Sequence, residues 1–268
     1  MGVGKRFAKD QWWEARNPLA TSNGLSFQDN TVLVTGANSA LGASPFILAV
    51  RSTEKGEAAK AAIQRETGCS GEIILMTVDL STFASVKEFA RRLDQRVSKL
   101  DVPSSSLCCV LSNTLLVLLI LPKLRASTTE SDHNALPHLC FLNSLASHRS
   151  SINDPFKFDI TAQYYLVKLA AFFAIQGIIE QLKERGEADG IIINACCPGL
   201  CKTKMPRDFP LAGSHTLVSA TGLGPESSGK LWRNDKYTEP GEVLDSERGR
   251  ELYRETWHEI LSILQKHL

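Results

Sequence analysis

Short apolar runs alternate along the chain with longer stretches whose apolar positions recur at helical spacing. Residues 31–34 are β-branched and aliphatic and lead straight into Gly36 and Asn38, which predicts a buried strand followed by a tight turn. Residues 46–50 predict a second strand. Residues 72–78 predict a third, ending at Asp79, and residues 139–142 and 191–195 predict two more. Between them, residues 52–67 interleave Glu54, Lys55, Glu57, Lys60 and Arg65 with Ala58, Ala59, Ala62 and Ile63, and Gly68 closes that helix. Residues 81–97 carry Val86, Phe89, Ala90 and Leu93 on one face of an amphipathic helix. Further helices are expected over residues 107–124, 162–185 and 247–268. Residues 1–30, with Trp12, Trp13 and Phe27, read as an N-terminal arm packed on a single domain over 31–268. Strands alternating with helices predict an α/β fold, a doubly wound parallel sheet covered on both faces. Ligands in such sheets bind beyond the carboxyl ends of the strands.

Composition narrows the function. A length of 268 residues with 43% hydrophobic and 22% charged positions suits a globular protein with a real core. A formal net charge of +1 offers no electrostatic reason for a nucleic acid or an anionic membrane as partner. The seven cysteines are odd in number and contain no CxxC pair, so they read as reduced thiols of a cytoplasmic protein and not as a disulfide framework or metal site. The opening MGVGKRFAKDQWWEARNP has no apolar core, so no signal peptide is expected. The most apolar run, 107–121, is broken by Ser112, Asn113 and Thr114 and ends at Pro122. It falls short of the ~20 residues of a spanning helix and reads as a buried one. No GxSxG elbow is present, and His133, His138 and His148 have no evident nucleophile, which speaks against a hydrolase.

Candidate chemistry sits at the predicted strand ends. Thr35-Gly36-Ala37-Asn38-Ser39-Ala40-Leu41-Gly42 follows the first strand; its glycines suit close backbone approach to a pyrophosphate, or a plain loop. Arg51, after the second strand, can clamp a ribose 2′-phosphate, or stand solvated at a helix start. Asp79-Leu80-Ser81 closes the third strand; Asp79 can hold an adenine amine or cap the helix at Ser81. Tyr164 and Lys168 are spaced i, i+4 and face one side of a helix. An ammonium beside a phenol favours the phenolate, which suits proton transfer to and from a carbonyl oxygen, although such pairs also arise by chance. Ser144 ends a strand, where its hydroxyl can hold a substrate oxygen. Pro198-Gly199 makes a turn after another strand, and Thr203 lies just beyond it.

Each signal is weak, but their order is specific. A Gly-rich turn, Arg after strand two, Asp after strand three, Ser, YxxxK and PG-x-x-x-T resemble the signature set of the short-chain dehydrogenase/reductase family from Thr31 to the C-terminus. TVLVTGANSALG, ILAVRSTEKGEAAK, LLVLLILPKLRAS and NACCPGLCKT are most similar to its fungal secondary-metabolism branch. The resemblance implies a Rossmann-type fold and NADP as cofactor, since no acidic residue stands at Arg51 to bind a free 2′-hydroxyl. It implies Tyr164 as acid/base, Lys168 as its partner and ribose ligand, and Ser144 as substrate orienter. Cofactor contacts are implied at Gly36, Asn38, Ser39, Leu41, Gly42, Arg51, Asp79, Leu80, Tyr164, Lys168, Pro198, Gly199 and Thr203. The implied reaction interconverts a ketone and a secondary alcohol on a small hydrophobic molecule, a polyketide or terpenoid, selected by the loop 205–221. A catalytically impaired relative that acts by binding remains the competing reading.

Two departures stand out. Between Gly42 and Phe46 only Ala43, Ser44 and Pro45 remain where the family has a crossover helix, and a parallel crossover needs about a dozen residues. The cofactor-binding half is therefore expected to be incomplete. The strand at 46–50 should pair elsewhere, run antiparallel or stay unpaired, and Phe46, Ile47 and Leu48 should be poorly covered and promote self-association. After Val102, Pro103 and Ser104 to Ser106 stand where the family has a strand and an Asn-Asn-Ala-Gly turn, and Cys109 occupies the position of a fourth catalytic residue, an Asn. Skipped exons, a gene-model error and a degenerate paralogue all fit such gaps.

Overall fold

The computed structural model describes residues 27, 29–35, 45–68, 70–106, 109–130, 136–148, 160–199 and 212–268. Strands β1 (Val32–Thr35), β2 (Phe46–Val50), β3 (Ile73–Thr77), β4 (Val102–Ser106), β5 (His138–Leu142), β6 (Ile192–Cys196), β7 (Leu231–Arg233) and β8 (Lys236–Tyr237) form one sheet in the order β3-β2-β1-β4-β5-β6-β7-β8. All neighbours run parallel except the β7–β8 hairpin. The winding reverses between β1 and β4, and the crevice at that switch point is where a doubly wound sheet receives its ligand. The expected Rossmann-type parallel sheet is thus what the chain forms.

Alternation along the strands sends residues to two faces. Leu33, Ile47, Leu139, Phe141 and Ile193 share a core with helices α2 (Phe83–Arg96), α3 (Val110–Glu130), α4 (Ile160–Glu184) and α7 (Glu247–Leu264). Val32, Val34, Phe46, Leu48 and Ile73 face the other way, against α1 (Thr53–Thr67), Val218 of α5 (Ala212–Thr221) and Phe27. A short helix α6 (Glu242–Asp245) precedes α7. Helix α1 begins at an N-cap Ser52, whose Oγ accepts the Lys55 N–H at 3.4 Å, and ends at Gly68, as its sequence signals require. At Gly177 the Trp257 ring lies so close that a Cβ would stand 2.1 Å from it, so glycine lets α7 seat on α4.

Helix α3 and residues 163–184 of α4 are each long and apolar enough to cross a membrane by length and composition. Both pack on the sheet: Leu115, Leu116, Ile120 and Leu124 of α3 are almost fully buried, each worth about 1.5–3 kcal/mol of transfer free energy. Pro122 does not end α3, which runs on to Glu130 with Pro122 on its exposed side.

Several expectations fail. Strand β2 pairs in parallel with β1, Val32 opposite Phe46, and is neither unpaired nor reversed. Phe46, Ile47 and Leu48 are fully buried. Ile63 and Ala59 of α1, Val218 and Phe27 complete the cluster around Phe46 and Leu48, while Ile47 turns to the opposite core. The connection over 36–44 lies outside the described residues. The strand thought missing after Val102 is present as β4, between β1 and β5. Pro103 lacks a ladder N–H and serine is a poor strand former, so the sequence hides it. Its flanks impose it: Val102 N–H donates to Thr31 O at 3.1 Å, His138 N–H to Asp101 O at 2.8 Å, and the buried Asp101 carboxylate accepts the Thr31 N–H at 2.7 Å. The second half of the presumed pocket loop, 212–221, is helix α5.

Candidate active site

Arg51 and Asp79 stand at the carboxyl ends of the adjacent strands β2 and β3, joined by Val78 N–H donating to Val50 O at 2.9 Å. Arg51 is exposed. The N-cap of α2 is Thr82 and not Asp79. Asp79 instead accepts the Ser81 N–H at 2.9 Å, and that hydrogen bond, helped by the positive charge of Arg51, holds its carboxyl below the ordinary value. Asp79 and Leu80 both stay half-buried at the sheet edge.

The second cluster forms where β5 meets α4. Ser144 follows β5 and opens a 3-10 turn, Leu145–His148. Its Oγ accepts the Ala146 N–H at 3.2 Å, and a hydroxyl that accepts in this way still has its own hydrogen to donate. Asn143, one residue earlier, accepts the Ser144 N–H on Oδ1 at 2.8 Å and donates from Nδ2 to the Lys168 carbonyl at 3.3 Å. Lys168 and Tyr164 lie on consecutive turns of α4, with the Lys168 Nζ 5.8 Å from the Tyr164 ring centroid. Tyr164 is 48% exposed, so its phenol is open to an incoming molecule. The structure thus ties the Ser144 turn to the helix of Tyr164 and Lys168.

The third cluster ends β6. Gly199 adopts φ 69°, a left-handed conformation that favours glycine, and turns the chain after Pro198. Cys197 is buried beneath this turn, and its Sγ accepts the Leu145 N–H at 3.3 Å. Burial raises its thiol. Cys140 and Cys196, on neighbouring strands, are both fully buried, and the Cys196 thiol is raised by its hydrogen bond to Cys140 and by burial. Cys140, Cys196 and Cys197 form no disulfide, and no metal-ligating cluster occurs among the described residues.

Gly36, Asn38, Ser39, Leu41, Gly42 and Thr203 lie outside the described residues. Cys109 precedes α3, where its carbonyl accepts the Asn113 Nδ2 at 2.8 Å. A cavity of about 680 Å3 lies between α4, the β7–β8 hairpin and the start of α7. Neither Tyr164, Lys168 nor Ser144 lines it, so it is not where these groups would act. Sequence reasoning missed Asn143 and Cys197. An Asn directly after a strand, poised for side-chain to main-chain bonding, was the available signal for the first; nothing local marks the second.

No family model matches the chain. A short-chain dehydrogenase/reductase of Phaeosphaeria nodorum is 31% identical over 303 positions, which cover 90% of this chain and 88% of the relative. The chain belongs to the short-chain dehydrogenase/reductase family. A second such protein, of Aspergillus flavipes, is 29% identical over 320 positions, covering 95% and 91%. Both alignments are longer than the 268 residues of this short-chain dehydrogenase/reductase, so its relatives carry residues inside the matched span that it lacks.

Solved structures agree on the fold. The carbonyl reductase Sniffer of D. melanogaster matches with a TM-score of 0.62 at 16% identity, over 79% of this chain and 99% of that one. The NADPH-bound carbonyl reductase from chicken fatty liver matches at 0.58 and 19% identity, over 78% and 98%. In this member of the family, Ser144 follows β5, and Tyr164 and Lys168 lie on α4.

Proposed function

We propose that this short-chain dehydrogenase/reductase is an NADP-dependent oxidoreductase that interconverts a ketone and a secondary alcohol on a small hydrophobic metabolite. The observation that carries the proposal is the pairing of Tyr164 and Lys168 on α4, tied through Asn143 to the Ser144 turn. The residues present fit the cofactor at its adenosine end: the exposed Arg51 guanidinium suits a 2′-phosphate, and the half-buried Asp79 stands beside it. At the other end, Lys168 would hold the nicotinamide ribose, and Pro198 and Gly199 would line the ring. Bound NADPH supplies a hydride to the carbonyl carbon. Ser144 donates a hydrogen bond to the substrate oxygen and orients it. Tyr164 gives that oxygen a proton from its phenol, with the Lys168 ammonium beside its ring. In the reverse direction Tyr164 takes the alcohol proton.

The fungal relatives support a place in secondary metabolism, and a polyketide or terpenoid substrate rests on the motif resemblance alone. The experiment is a thermal melt and a fluorescence titration of the purified chain with NADPH and with NADH. A shift with NADPH and a smaller one with NADH is expected; no shift with either overturns the proposal. A second reading, a catalytically impaired binding protein, is favoured by Cys109 at the family's fourth catalytic position. NADPH binding without turnover of any ketone or secondary alcohol would select it.

A further inference from the structure

We infer that Asn143 is a positioning residue, the link that fixes Ser144 against the helix bearing Tyr164 and Lys168. The inference rests on the oxidoreductase reading above. Asn143 is 3% exposed and sits directly past β5, where its main-chain N–H donates to Cys196 O at 2.8 Å and anchors it to β6. Its side chain then serves both halves of the site. Oδ1 accepts the Ser144 N–H at 2.8 Å, and Nδ2 donates to the Lys168 carbonyl at 3.3 Å. The partners force this orientation of the amide, because the Ser144 N–H can only donate and the Lys168 carbonyl can only accept.

The amide group is planar and rigid, so the two bonds are coupled. A displacement of α4 at Lys168 moves the amide, and the amide moves the Ser144 backbone. The anchor to β6 supplies the fixed point. Ser144 and Tyr164 must address one substrate oxygen from two different elements, and misplacement by about 1 Å costs on the order of 10²-fold in rate. An aliphatic side chain of similar size would fill the space without either bond. It would leave the Ser144 N–H without its present acceptor and free Ser144 to shift relative to Lys168.

The test compares wild type with Asn143→Leu and Asn143→Ala. Leu keeps most of the volume, so it separates hydrogen bonding from packing. Asn143 touches neither the ribose nor the 2′-phosphate end in this reading. Both variants are therefore expected to lose ~10- to 100-fold in kcat while KM for NADPH changes less than about twofold. Asn143→Leu retaining kcat within about twofold of wild type overturns the inference, as does a loss confined to KM. A second readout does not need turnover: exchange of the Ser144 amide hydrogen, followed by NMR. It is expected to accelerate up to about tenfold in Asn143→Leu, the worth of one net hydrogen bond. If wild type binds no NADPH, the oxidoreductase reading falls and the exchange rate alone decides. Unchanged exchange then overturns the link, and faster exchange upholds it.

Discussion

The Lys168 ammonium nitrogen stands 5.8 Å from the centroid of the Tyr164 ring, one turn further along α4. This distance is within the range in which a cation and an aromatic face attract, so the pair is held by its own electrostatics as well as by the helix. Tyr164→Phe keeps the ring and its contact with Lys168 and removes only the proton carrier. Turnover should fall by about 10²–10⁴-fold while NADPH affinity stays nearly unchanged. Steady-state kinetics and a cofactor titration on the same preparation check this, and a variant that keeps more than about a tenth of the activity would remove Tyr164 from its role.

Under the proposed function, Arg51 is expected to set the cofactor preference. Arg51→Asp repels a 2′-phosphate and can accept from a free 2′-hydroxyl, so preference should pass from NADPH to NADH. Titration of both forms with both cofactors reads this out. Equal affinity of wild type for the two would make Arg51 a solvated residue at the start of α1.

His138 and His148 are buried, and burial lowers each from 6.5 to about 4. Below pH 6.5 the unfolded chain takes up protons that the folded chain refuses. Stability is therefore fully present above about pH 6.5 and is lost as pH falls toward 4, by up to about 1.4 kcal/mol per pH unit for each residue. The carboxyls of Asp79, Glu88 and Glu226 are held low and lose their contribution only in more acid solution, as pH falls through their folded values. Urea melts at about pH 7 and about pH 5 should differ clearly in midpoint. Equal midpoints would show that both histidines reach solvent.

Phe27 packs in one buried cluster with Phe46 and Leu48. Phe27→Ala should cost about 3–5 kcal/mol and uncover apolar surface on β2. The measurements are a denaturant melt and the binding of an apolar fluorescent dye. A loss under about 1 kcal/mol with no added dye binding would mean that other groups cover that face.

The sequence by itself determined five of the eight strands and five of the seven helices among the described residues, in their order. Helix α1 was legible from Ser52 to Gly68 because its cap, its charge spacing and its stop signal are all local. Strand β2 was legible because five consecutive apolar residues, Phe46–Val50, have no other use. Ser144, Tyr164 and Lys168 were legible as a pattern, since i, i+4 spacing on a helix is itself geometry. The β7–β8 hairpin was missed although Asn234 and Asp235, both left-handed, are the residues such a turn selects.

Only the tertiary structure decided the rest. Val-Pro-Ser-Ser-Ser is a strand because β1 and β5 bracket it and Asp101 pins its entrance, and no property of those five residues says so. The gap before β2 does not open the sheet, because Phe27, Ile63 and Val218, distant in sequence, meet over Phe46 and Leu48. Asn143 joins Ser144 to Lys168 through a hydrogen bond across 25 positions. Burial and hydrogen bonding between remote segments are sums over the whole fold, whereas a local pattern reports only on its own window.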